Sequence, residues 1–325
     1  MAISKAITGI DNSGSFRVYM AISTDAVQQA HEIHHTSPAV TYLLGRALTG
    51  SGLMGLMLRE PGYRLSLQFR GDGPVKQILC AADSEGHIKG YAAVPAVELP
   101  EKEDGTADPG AALGSGSLTC IRDGKGMEEP YIGQIELVSG EIAEDIASYF
   151  YQSEQIRTLV NLGVKLREDG NTASAGGLIV QLLPDADDRA VQALENWMPS
   201  MPSISELAFE VSASEGTESD ESIMMRFMEK TFEGMPEEFS VLPLETPDFQ
   251  WQCDCSESKL EQVLISLGAD ELDAMIEEDG EAEMTCQFCE KKYHFDKKQL
   301  QRLSMVAAAR ELRSSGTSDF PEIQH

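Results

Sequence analysis

Arg64-Leu65-Ser66-Leu67-Gln68-Phe69-Arg70-Gly71-Asp72-Gly73-Pro74 alternates apolar and polar side chains and then stops at a Gly-Asp-Gly-Pro turn. A period of two puts Leu65, Leu67 and Phe69 on one face, so the stretch reads as a half-buried strand entering a hairpin. Lys76 to Ala82 follows at once as its partner. Downstream, turns at Ser84-Glu85-Gly86 and Asp123-Gly124-Lys125-Gly126 separate strands near Ile88 to Val94, Ser117 to Arg122 and Ile132 to Val138. Upstream, Phe16 to Ile22 reads as a strand, Ser23-Thr24-Asp25 as a helix start, and Pro38 as the opening of a second helix. That helix carries Val40, Leu43, Leu44, Ala47, Leu48, Leu53 and Leu56, interrupted by Gly50, Gly52 and Gly55, and is expected to be largely buried. Ser139-Gly140-Glu141 starts a further helix through Ile146 and Phe150. Gly176 to Leu183 supplies a closing strand before Pro184.

The expected fold class is therefore α+β, in three parts. Residues 1–183 form a mixed α/β core domain with hairpin-rich sheets, 184–245 an acidic helical linker, and 246–325 a small zinc-binding domain with a C-terminal helix and tail. In the linker, Asp185 to Trp197 is a polar amphipathic helix, Ser203-Ile204-Ser205-Glu206 reads as a capping box, and Asp220 as the cap of a helix ending at Gly234. These helices lack an obvious core of their own. Between Ile204 and Glu283 the basic residues are Arg226, Lys230 and Lys259 alone, a density of acid that makes the segment marginally stable. Its apolar stripe includes Met224, Phe227 and Met228, which suit packing and also adaptable recognition of apolar surfaces.

The chain has 325 residues, with 25 Lys+Arg against 54 Asp+Glu and a net charge of −29. Such a field repels nucleic acid phosphate and anionic lipid, so neither is an expected partner. The N-terminus lacks a basic segment followed by an apolar run, and no stretch approaches the ~20 apolar residues of a membrane helix. A cytoplasmic protein is expected.

Of six cysteines, Cys80 and Cys120 lie in apolar strand-like runs and read as inert core residues. The other four form Cys253-Asp254-Cys255 and, thirty residues later, Cys286-Gln287-Phe288-Cys289. Two close thiol pairs can surround one zinc ion, which prefers four thiolates at about 2.3 Å in a tetrahedron and then has no open position for substrate. One zinc per chain is expected. The surrounding apolar residues are few: Trp251, Leu260, Leu264, Leu267, Leu272, Phe288, Tyr293 and Phe295. A core of that size rarely supplies more than ~3–5 kcal/mol, whereas structural zinc contributes ~10–16 kcal/mol. The metal is then either a passive staple or a switch. Zinc-held thiolates remain open to oxidants, each has a neighbour with which to form a disulfide, and metal loss would unfold the module and propagate into the acidic linker. Lys291 and Lys292 beside Cys289 favour thiolate.

Two motifs compete. His31-Glu32-Ile33-His34-His35 satisfies H-E-x-x-H, the pattern of a zinc metallopeptidase, with His31 and His35 as ligands and Glu32 as base. Pro38 and Thr41 occupy the glycine and histidine positions of the extended form, and no acidic second helix follows soon after, so a histidine cluster without catalysis is favoured and no enzyme is expected. Gly110-Ala111-Ala112-Leu113-Gly114-Ser115-Gly116-Ser117 lacks the Gly-Lys-Ser/Thr ending of a phosphate loop and reads as a plain loop. An interaction module with purely structural zinc is the other alternative.

Taken along the whole chain, the motifs resemble the thirty-three-kilodalton heat-shock protein family of redox-regulated holdase chaperones. The resemblance rests on His35-Thr36-Ser37-Pro38 with Leu44-Gly45-Arg46-Ala47-Leu48-Thr49, on Gly71-Asp72-Gly73-Pro74, and on Gly90-Tyr91. It continues through Gly133-Gln134, Ser139 to Asp145, Ser153-Glu154-Gln155 and Ala175-Gly176-Gly177 to the two cysteine pairs. It implies zinc on Cys253, Cys255, Cys286 and Cys289 in a reduced, inactive state. It further implies that oxidation pairs Cys253 with Cys255 and Cys286 with Cys289, zinc leaves, the linker opens, and a homodimer holds unfolding client proteins without ATP. Arg157 stands where the family usually has proline.

Overall fold

The computed structural model describes residues 3–58, 60–99, 108–213 and 218–315. Two compact units divide the chain, residues 1–252 and 253–325.

The first unit opens with a hairpin, β1 (Ser4–Asp11) and β2 (Phe16–Ser23), followed by α1 (Thr24–His34) and α2 (Pro38–Leu56). A meander of β3 (Arg64–Gly71), β4 (Gln77–Asp83) and β5 (His87–Ala92) comes next. The short α3 (Pro109–Leu113) then leads to the hairpin β6 (Gly116–Asp123) and β7 (Tyr131–Glu136). After α4 (Ala143–Tyr149) come the long strands β8 (Thr158–Leu166) and β9 (Thr172–Leu182), then α5 (Asp188–Trp197), α6 (Ile204–Ser212) and α7 (Asp220–Thr231). The unit finishes with the short strands β10 (Val241–Glu245) and β11 (Gln250–Trp251). One sheet has the order β10-β1-β2-β9-β8 and the other β11-β5-β4-β3-β6-β7. All neighbours are antiparallel except β11, which runs parallel to β5 with Gln250 opposite His87 and Trp251 opposite Ile88.

Helix α2 is the centre of this unit. It touches β3, β4 and β5 on one side and β2, β8 and β9 on the other, and is buried nearly all round. Its glycines make that possible. A methyl at Gly50 would stand 2.5 Å from Ile146, and one at Gly52 would stand 2.3 Å from the Phe249 ring. The expectation of a largely buried second helix holds, with glycines serving as contact points and not as interruptions.

The first sheet is buried on both faces. Ala6, Tyr19, Ala21 and Ile179 belong to the core around α2. Ile7, Val18, Met20, Ile22, Leu178 and Val180 belong to a second core roofed by α5, α6 and α7. That explains the continuous apolar runs of β2 and β9, as against the clean alternation of β3, which is buried on one face. Met224, Phe227 and Met228 are 0%, 0% and 3% exposed within this second core.

Helix starts differ in detail from expectation. Ser219, not Asp220, caps α7, its hydroxyl accepting from the Ser222 N–H. Ser203 precedes α6 without making a capping hydrogen bond; Glu206 pairs with Lys165 of β8 instead, at 2.7 Å. Asp145 does the capping at the start of α4. Its fully buried carboxylate accepts from the backbone N–H groups of Val138, Ser139 and Ile142, which is why Ser139 to Glu141 turns before the helix begins.

The second unit contains α8 (Glu257–Leu267), α9 (Ala269–Glu278), the hairpin β12 (Ala282–Thr285) and β13 (Lys292–Phe295), and α10 (Lys297–Ser315). Its core joins Leu264, Leu272, Tyr293, Phe295, Leu300, Leu303 and Ala307. The expected tail beyond Ser315 lies outside the described residues.

Candidate metal centre

Cys253 and Cys255 lie in the irregular segment before α8, whose start is fixed by the Ser256 hydroxyl accepting from the Lys259 N–H at 3.3 Å. Cys286 and Cys289 sit on the turn joining β12 to β13. Two hydrogen bonds shape that turn: Cys286 N–H to the Lys291 carbonyl at 2.9 Å, and Glu290 N–H to the Cys286 carbonyl at 2.8 Å. Glu290 takes φ +57°, a left-handed residue that lets the chain reverse within four positions. Both pairs face one point. Cys253 Sγ is 3.7 Å from Cys286 Sγ, Cys255 Sγ is 3.4 Å from Cys289 Sγ, and all four sulfurs lie within 4.8 Å of one another.

Sulfurs held about 2.3 Å from a central ion in a tetrahedron stand about 3.8 Å apart. The donor set is thus already spaced for a four-coordinate, thiophilic ion, and its four thiolates leave no position for substrate. The Tyr293 hydroxyl lies 3.2 Å from Cys255 Sγ. Burial pushes the Cys255 thiol up, but hydrogen bonds from Tyr293 and the neighbouring thiols outweigh it and bring this group down to about 7. Burial raises Cys253 and Cys289. Lys291 lies over the Tyr293 ring at 4.9 Å, and Lys292 pairs with Glu283 at 2.8 Å across the hairpin.

The backbone at the H-E-x-x-H motif does not set its two histidines on one helical face. α1 ends at His34, and His35 turns left-handed at φ +49°, so it does not continue the helical turn that would align it with His31. His31 Nδ1 shares hydrogen bonds with the Thr36 and Thr41 hydroxyls at 3.2 and 3.1 Å, and Glu32 accepts from Gln28. Among the described residues no group of three metal-type ligands includes them. A different trio, Asp83, Glu85 and His87, does gather at the β4–β5 turn. There the Asp83 carboxylate is taken up by the N–H groups of Glu85 and His87 and by His87 Nδ1 at 2.9 Å. Sequence reasoning singled out neither this trio nor the Tyr293 contact; the latter had a signal in the aromatic placed four residues after Cys289.

Fold and site together define an α+β protein with two sheets about a buried helix and a separate unit carrying a four-thiol centre. The model of the Hsp33 protein family matches residues 4–296, and the chain belongs to that family. It is 40% identical over 295 residues to the 33 kDa chaperonin of Geobacter sulfurreducens, covering 90% of this chain and 92% of that one. With the 33 kDa chaperonin of Desulforamulus reducens it shares 38% over 297 residues, 91% and 96% of the two chains. The crystal structure of the 33 kDa chaperonin, a heat shock protein 33 homolog, from Thermotoga maritima superposes with a TM-score of 0.76 at 31% identity, over 94% of this chain and 99% of that one. Among the described residues no helix is long and apolar enough to cross a membrane.

Proposed function

We propose that the protein is an ATP-independent holdase chaperone, closed while reduced and metal-bound and opened by oxidation of its four-thiol unit. The observation that carries this reading is the gathering of four sulfurs at zinc-like spacing inside a unit with a small apolar core; family membership supplies the chaperone class. Zinc, when bound, would hold Cys253, Cys255, Cys286 and Cys289 as thiolates and provide most of the unit's folding free energy.

Oxidation then acts on the sulfurs. One thiolate of a pair attacks the chlorine of hypochlorous acid, breaking its chlorine–oxygen bond, or an oxygen of peroxide, breaking its oxygen–oxygen bond, and hydroxide leaves in either case; its neighbour then displaces chloride or a second hydroxide from the oxidised sulfur to close the disulfide. Each pair gives up two electrons, and two disulfides, Cys253–Cys255 and Cys286–Cys289, consume two oxidant molecules. With no thiolate left to bind metal, the unit loses its main support. The acidic segment 184–245 is the next element to open, baring Met224, Phe227 and Met228 and the sheet face beneath them. Cytoplasmic unfolding proteins are the clients, and the open form works as a homodimer.

The test heats a model client with reduced protein, with hypochlorite-treated protein, and with a Cys286→Ser, Cys289→Ser variant, recording light scattering and zinc release. Suppression only after oxidation supports the switch. Equal suppression by reduced and oxidised protein would leave the zinc as a staple in an interaction module.

A further inference from the structure

Residues 198–235 contain Met198, Met201, Met224, Met225, Met228 and Met235, out of 14 methionines in the chain. Two of them, Met225 and Met228 of α7, line a cleft of about 230 Å³ together with Phe232, Val241 and Pro243. Met225 is partly exposed and Met228 is 3% exposed. The cleft is several times the ~30 Å³ that a water molecule occupies in the liquid, so a small neutral oxidant fits. On its other side the Met228 methyl packs closely on β1. A Cβ at Gly9 of β1 would stand 3.1 Å from the Met228 methyl, 2.7 Å from Val241 and 2.9 Å from the Leu242 carbonyl. Gly9 is also where the pairing of β1 with β10 shifts register. Phe232, at the end of α7, stacks on Trp197 of α5 at 4.7 Å. The attachments of α7, β10 and α5 thus converge around two thioethers.

We infer that Met225 and Met228 form a second oxidation site, at which hypochlorous acid makes sulfoxides that unseat α7 from β1 and β10. The sulfur lone pair takes the oxygen of HOCl, a sulfur–oxygen bond forms, the oxygen–chlorine bond breaks, and HCl leaves. Sulfur loses two electrons, and the chlorine takes them as chloride. Met225 reacts first because it meets solvent, and the loosened helix then exposes Met228. A sulfoxide is polar and larger than the thioether, and at Met228 it meets packed apolar groups and the edge of a strand, so the docked helix is disfavoured. The inference rests on the holdase reading and adds memory to it. Thiol reductants reverse disulfides but leave sulfoxides in place, so α7 stays open after the thiols recover.

The full-length, zinc-loaded protein is treated with hypochlorous acid, then with dithiothreitol and zinc. Peptide mass spectrometry locates added oxygen, and limited chymotrypsin digestion reports cleavage after Phe227 and Phe232. Expected are sulfoxides at both residues and cleavage about tenfold faster than in untreated protein, a fold-change equivalent to ~1.4 kcal/mol of lost docking. Met225→Leu with Met228→Leu, which keeps volume and cannot take oxygen, should return to the untreated rate. Met228→Gln should be cleaved fast without oxidant; if it does not fold, the leucine variant and the mass spectra decide. The inference is overturned if neither methionine gains oxygen at doses that close both disulfides, if sulfoxide-bearing protein is cleaved at the untreated rate, or if the leucine variant stays open like the wild type. Since cleavage is read without a client, failure to protect clients sinks the holdase reading separately.

Discussion

Cys80 and Cys120 stand on either side of Leu67 in neighbouring strands, each fully buried. Burial pushes Cys80 up to about 12 and Cys120 up to about 11, so both stay protonated at neutral pH. Below the ordinary thiol value of about 8.5 their contribution to stability is fully present. As pH rises toward 11 and 12 the unfolded chain ionises while the folded one does not, and stability falls by up to about 1.4 kcal/mol per pH unit for each thiol. Iodoacetamide at pH ~8 should accordingly spare both in the native protein and reach them only in denaturant; adducts on Cys80 in folded protein would refute the assignment. Tyr293 makes a second prediction at this scale. Tyr293→Phe keeps a ring that is 9% exposed and deletes the contact to Cys255. Freed of that donor, the sulfur is a better nucleophile. Peroxide-driven zinc release should speed up about fivefold, the equivalent of a ~1 kcal/mol hydrogen bond, with one zinc still bound per chain before oxidation. A chromogenic chelator reads both quantities.

Among the elements, α10 does more than its helical pattern announces. Leu300, Leu303 and Ala307 complete the core of the second unit, Ser304 donates to Asp273 of α9 at 2.7 Å, and the Glu311 carboxylate accepts from the Ala269 N–H at 3.1 Å. That last bond substitutes for a cap, since Gly268 before α9 has no side chain to offer. Leu303→Ala should cost ~2–4 kcal/mol; with zinc on the four thiols as proposed, binding is coupled to folding and the affinity measured by chelator competition should fall by at least about tenfold. An unchanged affinity would mean that the thiols fold independently of α10. The sequence pattern made this helix legible but not its burial, because Leu300, Leu303 and Ala307 become core only together with residues of other elements, among them Leu264 of α8, Leu272 of α9 and Phe295 of β13. β8 was legible and passed over: Val160, Leu162, Val164 and Leu166 alternate as β3 does. β10 and β11 were not legible, since one contains Pro243 and the other is two residues long. Their existence depends on edges supplied by β1 and β5. The cysteine pairs needed no such help, because ligand spacing along the chain is itself the geometric constraint.

At the scale of the whole molecule, charge decides how firmly the first unit stays closed. The net charge of −29 is spread unevenly, and the acidic segment 184–245 carries more than its share per residue. The few cations near α6 and α7 are already committed: Lys230 to Glu210, Arg226 to Glu218 and the Val211 carbonyl, and Arg189 to Glu238. Such partly exposed pairs contribute ~0–1 kcal/mol each, while the unpaired acids repel one another over distances comparable to the Debye length, about 10 Å at 0.1 M salt and 3 Å at 1 M. Added salt weakens both effects. The repulsion has more members and a longer reach, so screening should favour the closed state. The reduced protein is therefore expected to melt higher in 0.5 M than in 0.01 M sodium chloride, by about 2–4 °C for each ~1 kcal/mol of repulsion removed. Oxidant-driven opening should be slower in the same series. Lys230→Glu, which breaks one pair and adds to the excess, should steepen the dependence. A melting temperature that is flat or falls with salt would show that the ion pairs, and not the repulsion, govern the docking of α6 and α7.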